Sequence, residues 1–218
     1  MNKIYVLVEG HGEVQAMQNL LTRLANHLLI HNIIWDYPKR WINLHVWEAP
    51  RGGIKRAVNL YRNDANVGGL LIIRDEDDKC PKELAPFIAS KILKEELPFP
   101  VAYVLLNPEY EVLFLPSLEK MPTVFNDGRS GLKENTKWPY KSWEAKRGIK
   151  EWLSNNFKGN KSYKPTLDQL PMTRSIDFEI LDKSGLACYD TLKRAIVYLS
   201  KNMEIPKKVY PKVINGCS

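Results

Sequence analysis

Three unbroken apolar runs constrain this chain more than any other feature. They are residues 4–8 (Ile-Tyr-Val-Leu-Val), 70–73 (Leu-Leu-Ile-Ile) and 101–106 (Val-Ala-Tyr-Val-Leu-Leu). A strand with one wet face alternates apolar and polar residues. A run without alternation is covered on both faces, as in parallel sheets packed between helices. Two of the runs lead into acid. Glu9 follows the first, and Asp75-Glu76-Asp77-Asp78 follows the second through Arg74. Ligands of open α/β sheets sit beyond the carboxyl ends of their strands. Glu9, Asp75 and Asp77 are therefore expected to converge. Clustered carboxylates repel one another unless a cation lies between them, and hard oxygen donors suit Mg²⁺ or Mn²⁺.

The rest of the first half fits this frame. The first strand is expected at 3–8. Val14, Met17, Leu20, Leu21, Leu24 and Leu28 then recur at helical spacing. Alternation of Ile42, Leu44 and Val46 predicts a second strand over 42–47, and Gly52-Gly53 a turn. Ile54, Ala57, Val58 and Tyr61 mark a short helix before a strand at 70–74. Pro81 opens another helix with Leu84, Phe87, Ile88 and Ile92 on its apolar face, and the fourth strand is 101–106. The alternation of strands and helices predicts an α/β fold with a mostly parallel, four-stranded sheet flanked by helices.

After Pro108 the pattern changes. A short helix or turn is expected at 109–118, loop at 120–142, and helices at 144–157 and 186–202, with a short basic tail after Pro206. The chain is thus expected to have a core at 1–116 and a basic helical and loop elaboration at 117–218.

Charge follows the same division. The chain carries a net charge of +7, yet residues 1–116 hold 13 Lys and Arg against 14 Asp and Glu. Residues 117–218 hold 19 against 11. An acidic centre beside a basic surface suits an enzyme that orders one phosphate and grips a polyanion. A solubilising surface is the plainer reading of the same excess. The leader is too short for a signal peptide, no run approaches a membrane span, and Cys80, Cys188 and Cys217 form neither a zinc pattern nor a disulfide framework. A cytoplasmic location is expected.

The order of carboxylates is more specific than any one of them. A Glu after strand one (Val8-Glu9-Gly10) and an Asp-x-Asp after strand three (Asp75-Glu76-Asp77) resemble the Toprim domain over roughly residues 3–115. Pro108-Glu109-Tyr110-Glu111-Val112-Leu113-Phe114 is similar to the Glu-aromatic-Glu segment of an uncharacterised Toprim-like family. Tyr163-Lys164-Pro165 to Asp168-Gln169, and the helix from Ser184 to Leu199, extend that resemblance loosely.

Toprim domains occur in type IA and type II topoisomerases, primases and overcoming-lysogenization-defect nucleases. The resemblance implies phosphodiester transfer supported by Mg²⁺ (or Mn²⁺). It gives Glu9 a general acid/base role and sometimes a metal contact, and makes Asp75 and Asp77 the metal-binding pair. Glu111 would assist a second metal, with Glu109 the weaker choice. It also implies an ATPase partner in a bacterial defence module. No domain carrying a topoisomerase tyrosine is evident, which favours hydrolysis. A phosphatase using Asp75 and Asp77 as nucleophile and acid is disfavoured, because that pair normally follows the first strand. The rival is a nucleic-acid-binding or regulatory subunit without turnover.

Cations near the expected site are the candidate contacts to nucleic acid, DNA before RNA. Arg74 and Lys79 flank the acidic run, and neutralising it is the favoured reading over contact with phosphate. Arg51 and Lys55 lie about a Gly-Gly turn at a helix start, and Lys146 and Arg147 lie in the basic second half. Residues 129–164 mix ten cations with Trp138, Tyr140, Trp143, Trp152 and Tyr163, a composition that suits either base stacking or anchoring. His11 could bind metal or phosphate, or have no role.

Overall fold

The computed structural model describes residues 2–213. The three apolar runs form β1 (Lys3–Val8), β3 (Val67–Asp75) and β4 (Val101–Leu106). Two short strands complete the sheet, β2 (Lys39–Arg40) and β5 (Val209–Tyr210). All five strands are parallel, in the order β2-β1-β3-β4-β5. Tyr5 pairs with Leu70, and Asp75 with Leu106.

Successive side chains point to opposite faces of a strand, so each apolar run feeds two cores. Ile4, Val6, Val8, Leu71, Ile73, Ala102 and Val104 join one cluster. It is covered by α1 (Glu13–His27), α5 (Pro165–Arg174), α6 (Phe178–Ser184) and α7 (Ala187–Asn202). Tyr5, Leu7, Leu70, Ile72, Tyr103 and Leu105 join the other. That face is covered by α2 (Ile54–Asn59) and α3 (Pro81–Lys94). The first cluster draws on both halves of the chain.

The sheet has five strands where four were expected, because the chain returns after α7 and pairs Val209 with Val101. The second strand lies at Lys39–Arg40 and not at 42–47. Trp41 N–H donates to Val8 O at 2.8 Å, where β1 ends. Beyond it Asn43 takes φ +60° and Val46 N–H donates to Asn43 O, so 42–47 is a turn. Gly52 closes that turn at φ +76°. A Cβ there would lie 2.2 Å from Ile42 O.

In the second half, a 3-10 segment spans Tyr110–Lys120 and α4 spans Ile149–Asn156. The helix expected from 144 begins five residues later, because Gly148 enters it from the left-handed region. The helix expected at 186–202 is α7. Cys80 is exposed and Cys188 buried, both as free thiols, and Cys217 lies outside the described residues. Among the described residues, no helix is long and apolar enough to cross a membrane.

Candidate metal centre

Asp75 is the last residue of β3 and has the parity of Leu71 and Ile73, which aims it at the α1 face. Its Oδ1 accepts from Tyr110 N–H at 2.8 Å. That bond holds the start of the 3-10 segment against the strand end. Glu109 and Glu111 flank Tyr110, and both turn inward, 7% and 0% exposed. Asp75, Glu109 and Glu111 each bring a carboxylate oxygen within 4.8 Å of the others.

One ammonium reaches all three. Lys150 Nζ, from the first turn of α4, lies 2.8 Å from Glu109 Oε2, 3.2 Å from Glu111 Oε2 and 3.5 Å from Asp75 Oδ2. Tyr163 O–H donates to Glu111 Oε1 at 2.8 Å, and Gln169 of α5 donates to the same oxygen at 3.3 Å. Glu111 Oε2 is buried and makes no hydrogen bond; the Lys150 ammonium 3.2 Å away is its ion-pair partner.

A fourth carboxyl, Glu13 in the first turn of α1, is also buried, with Oε2 lacking a partner. Burial raises Glu13 to about 7, and the Glu111 and Glu9 charges add to the rise against the Gly10 backbone and Lys150. Asp75 is pushed well above the usual carboxylate range by burial and then by Glu13, with Lys150 opposing. Glu111 is raised by burial, again with Lys150 opposing. Burial works against the Lys150 ammonium, but Glu111, Asp75 and Glu109 outweigh it and raise its pKa. A single ammonium thus leaves an excess of buried negative potential.

The donor set fits a divalent ion. Its donors are hard carboxylate oxygens, and one of them, Glu111 Oε2, is buried with only the Lys150 ammonium near it, as is the neighbouring Glu13 Oε2 with no hydrogen bond. Asp75, Glu109 and Glu111 are the residues that would hold it.

The remaining expected residues are placed as follows. Glu9 is outside the cluster. It has the parity of Tyr5 and Leu7, on the α2 and α3 face, and its Oε1 lies 3.5 Å from His45 Nδ1. Asp77 is exposed and likewise outside the cluster; partial desolvation of its carboxylate and then Glu109 raise its pKa. Arg74 is an internal cation: its guanidinium donates to Tyr103 O–H at 2.7 Å, to Asp75 O at 2.6 Å and to Glu76. With only 5% of its side chain exposed, it is not a surface for a polyanion.

Lys79 is exposed, and its N–H donates to Glu76 Oε1. Arg147 pairs with Asp78 at 2.7 Å, and Lys146 lies over the Tyr140 ring. Arg51 is exposed, and Lys55 pairs with Glu48 at 2.7 Å. Gly52 and Lys55 line a pocket of about 490 Å³ beside α2. His11 lines a separate hollow with Tyr37 and Pro165.

Lys150 and Glu13 carry no sequence expectation as metal-site residues, and Tyr163 and Gln169 belong only to the loose extension of the resemblance, with no role expected at this site. Glu13 does leave a signal: it precedes Met17 and Leu20 by four and seven residues and so shares their buried face.

Fold and site together define an α/β protein with a buried acidic cluster at the carboxyl edge of an all-parallel sheet. Compared with protein-family models, curated proteins and solved structures, the chain has no significant match.

Proposed function

We propose that this chain is a Toprim-like, divalent-metal-dependent nuclease that hydrolyses phosphodiesters of nucleic acid, DNA in the first instance. The observation that carries the reading is the gathering of Asp75, Glu109 and Glu111 within 4.8 Å, beneath Lys150, at the end of β3. The strand-end Asp75 and the expected Glu111, with Glu109, support the Toprim resemblance; the absence of Glu9 and Asp77 from the cluster departs from it.

Mg²⁺ or Mn²⁺ bound there would polarise a phosphate and offset charge as the bond breaks. The chain's own groups supply the rest. Lys150, whose ammonium lies at the cluster, would donate to a phosphate oxygen brought there. Glu13, its pKa raised chiefly by burial, would hold a proton beside the carboxylates and lessen their mutual repulsion. Tyr163 and Gln169 fix Glu111 by hydrogen bonds to one oxygen, leaving the other toward the cluster. An ATPase partner in a defence module completes the proposal on the strength of the sequence resemblance.

One observation favours the rival reading of a regulatory subunit without turnover: Lys150 already engages all three carboxylates, as in a purely structural ion-pair cluster. Incubation with plasmid DNA and with RNA, with Mg²⁺ or Mn²⁺ and with or without a candidate ATPase, separates the two. The nuclease reading expects metal-dependent cleavage that Asp75→Asn abolishes in a folded protein. Binding of nucleic acid with no cleavage under any of these conditions supports the rival.

A further inference from the structure

We propose that Tyr140 and Lys146 form a stacking platform for an unpaired nucleobase, so that the ligand of this surface is single-stranded nucleic acid. The inference rests on the nucleic-acid reading above and specifies its substrate.

The segment 137–150 carries five cations and only one acid, Glu144. Its aromatic residues divide into two kinds. Trp143 is half-buried and donates its indole N–H to Ser184 O at 2.8 Å, which pins the segment to α6. Trp138 donates to Ser142 O at 2.9 Å and meets Trp152 of α4 edge-on, with centroids 4.9 Å apart. These two indoles have anchoring roles and satisfied N–H groups. Tyr140 does not share that role: it stays 42% exposed.

An isolated surface tyrosine would need no explanation. Tyr140 is not isolated. Its ring lies edge-on to Trp138 at 5.1 Å, so the Trp138–Trp152 pair braces it from behind. Lys146 Nζ lies 5.7 Å from its centroid. Pro139, which precedes it, restricts the backbone and lowers the cost of presenting the ring. Lys146 lies over one face of the ring, so a base would stack on the opposite face. A braced ring with positive charge at hand is what sequence-tolerant binding of single strands uses, a π-face for the base and cations for the backbone. A base within a duplex has its faces already stacked and cannot use such a ring.

The platform is also joined to the acidic centre. Arg147, next to Lys146, pairs with Asp78 on the loop that leaves β3. Gly148 then turns the chain through φ +73°, and Lys150 enters the carboxylate cluster. A strand with one base on Tyr140 would have its backbone led past Lys146 and Arg147 toward Lys150.

Fluorescence anisotropy on the full chain tests this, with a labelled oligothymidylate and a blunt duplex of equal length, in Ca²⁺. Tyr140→Ala is expected to weaken single-strand binding by roughly 5- to 150-fold while leaving duplex binding and thermal stability unchanged. Tyr140→Phe and Tyr140→Trp should keep the affinity, because the ring and not the hydroxyl does the stacking. Lys146→Ala should lower the salt slope of single-strand binding by about 0.7. Equal single-strand affinity for Tyr140→Ala and wild type overturns the platform, as does equal loss on duplex or no binding of either ligand. A platform built for a protein partner gives the first of these results. Failure here leaves metal-dependent cleavage untouched, whereas absence of cleavage with the Tyr140 effect intact counts against the nuclease and not the platform.

Discussion

Lys150 holds Glu109 with both ends of itself. Its backbone N–H donates to Oε1 at 3.0 Å, and its ammonium donates to Oε2 at 2.8 Å. The carboxylate therefore caps the start of α4 while forming one side of the acidic cluster. Docking of α4 and neutralisation of the cluster are a single event, joined through one residue pair.

Removing the ammonium should expose that coupling. Lys150→Met leaves Asp75, Glu109 and Glu111 without their shared cation. Loss of one partner from a buried pair costs about 3–5 kcal/mol, and the 39% exposure of Lys150 reduces the expected loss to about 1–3 kcal/mol. Urea denaturation in EDTA measures it. Mn²⁺ should restore part of the loss, and an unchanged midpoint would show that the cluster does not need this cation.

The pH dependence of stability has a defined sign. Glu13 and Asp75 both have raised pKa values, chiefly through burial. Such groups favour the folded state most while protonated. For Glu13 that contribution is full below its ordinary value of 4.5 and is lost as pH rises to about 7. Metal-free protein should therefore lose thermal stability as pH rises through that window. Mg²⁺ or Mn²⁺ should stabilise more at the upper end, where the carboxylates are ionised and the ion competes with fewer protons. A metal-induced shift in Tm that shrinks with rising pH would contradict the assignment of these groups.

Gly12 sets the approach of α1 to α5. A Cβ on it would lie 2.6 Å from Gln169 Oε1 and 2.7 Å from the Pro165 backbone. Gly12 has an ordinary helical φ of −65°, so the constraint is steric. Gly12→Ala should cost about 1–3 kcal/mol by forcing the helices apart. It should also weaken Mn²⁺ binding, since Glu13 and Gln169 sit at that junction. Calorimetric titration and urea unfolding of the same variant give both values, and wild-type values in each would refute the close approach.

Arg74 and Arg147 test the difference between an internal and an exposed cation. Arg74→Met leaves buried Glu76 without its cation, with only the Asp78 and Lys79 N–H donors remaining, and should cost about 3–5 kcal/mol. Arg147→Ala removes a pair whose side chains are 65% and 75% exposed, and should change stability by no more than about 0.5 kcal/mol. Urea midpoints of the two variants should differ accordingly, and equal midpoints would place Arg74 at the surface.

The parts legible in sequence are those encoded locally. Unbroken apolar runs marked β1, β3 and β4, and the carboxylate at the end of β3 marked the edge where the site lies. Glu109 and Glu111 were visible as a pair about an aromatic residue, but their inward turn depends on the Tyr110 bond to Asp75. Whether Glu9 faces Asp75 depends on strand register, which a single sequence does not state. Lys150 was hidden because its place follows from the left-handed turn at Gly148 and the docking of α4, 75 residues beyond Asp75. Helix α5 was obscured by Asp168, Gln169 and Thr173 on its buried side, where periodicity looks for apolar residues. The two-residue strands gave no run long enough to read.

Mn²⁺ binding to wild type and to Glu111→Gln, followed by electron paramagnetic resonance and calorimetry, tests the metal centre most directly. Glu111→Gln preserves shape and leaves Lys150 in place while removing the charge of the most buried ligand. Saturable binding by the wild type, weakened at least about tenfold in a folded Glu111→Gln protein, is the predicted result. No binding by the wild type, or the same affinity in both proteins, would contradict a metal held by Asp75, Glu109 and Glu111.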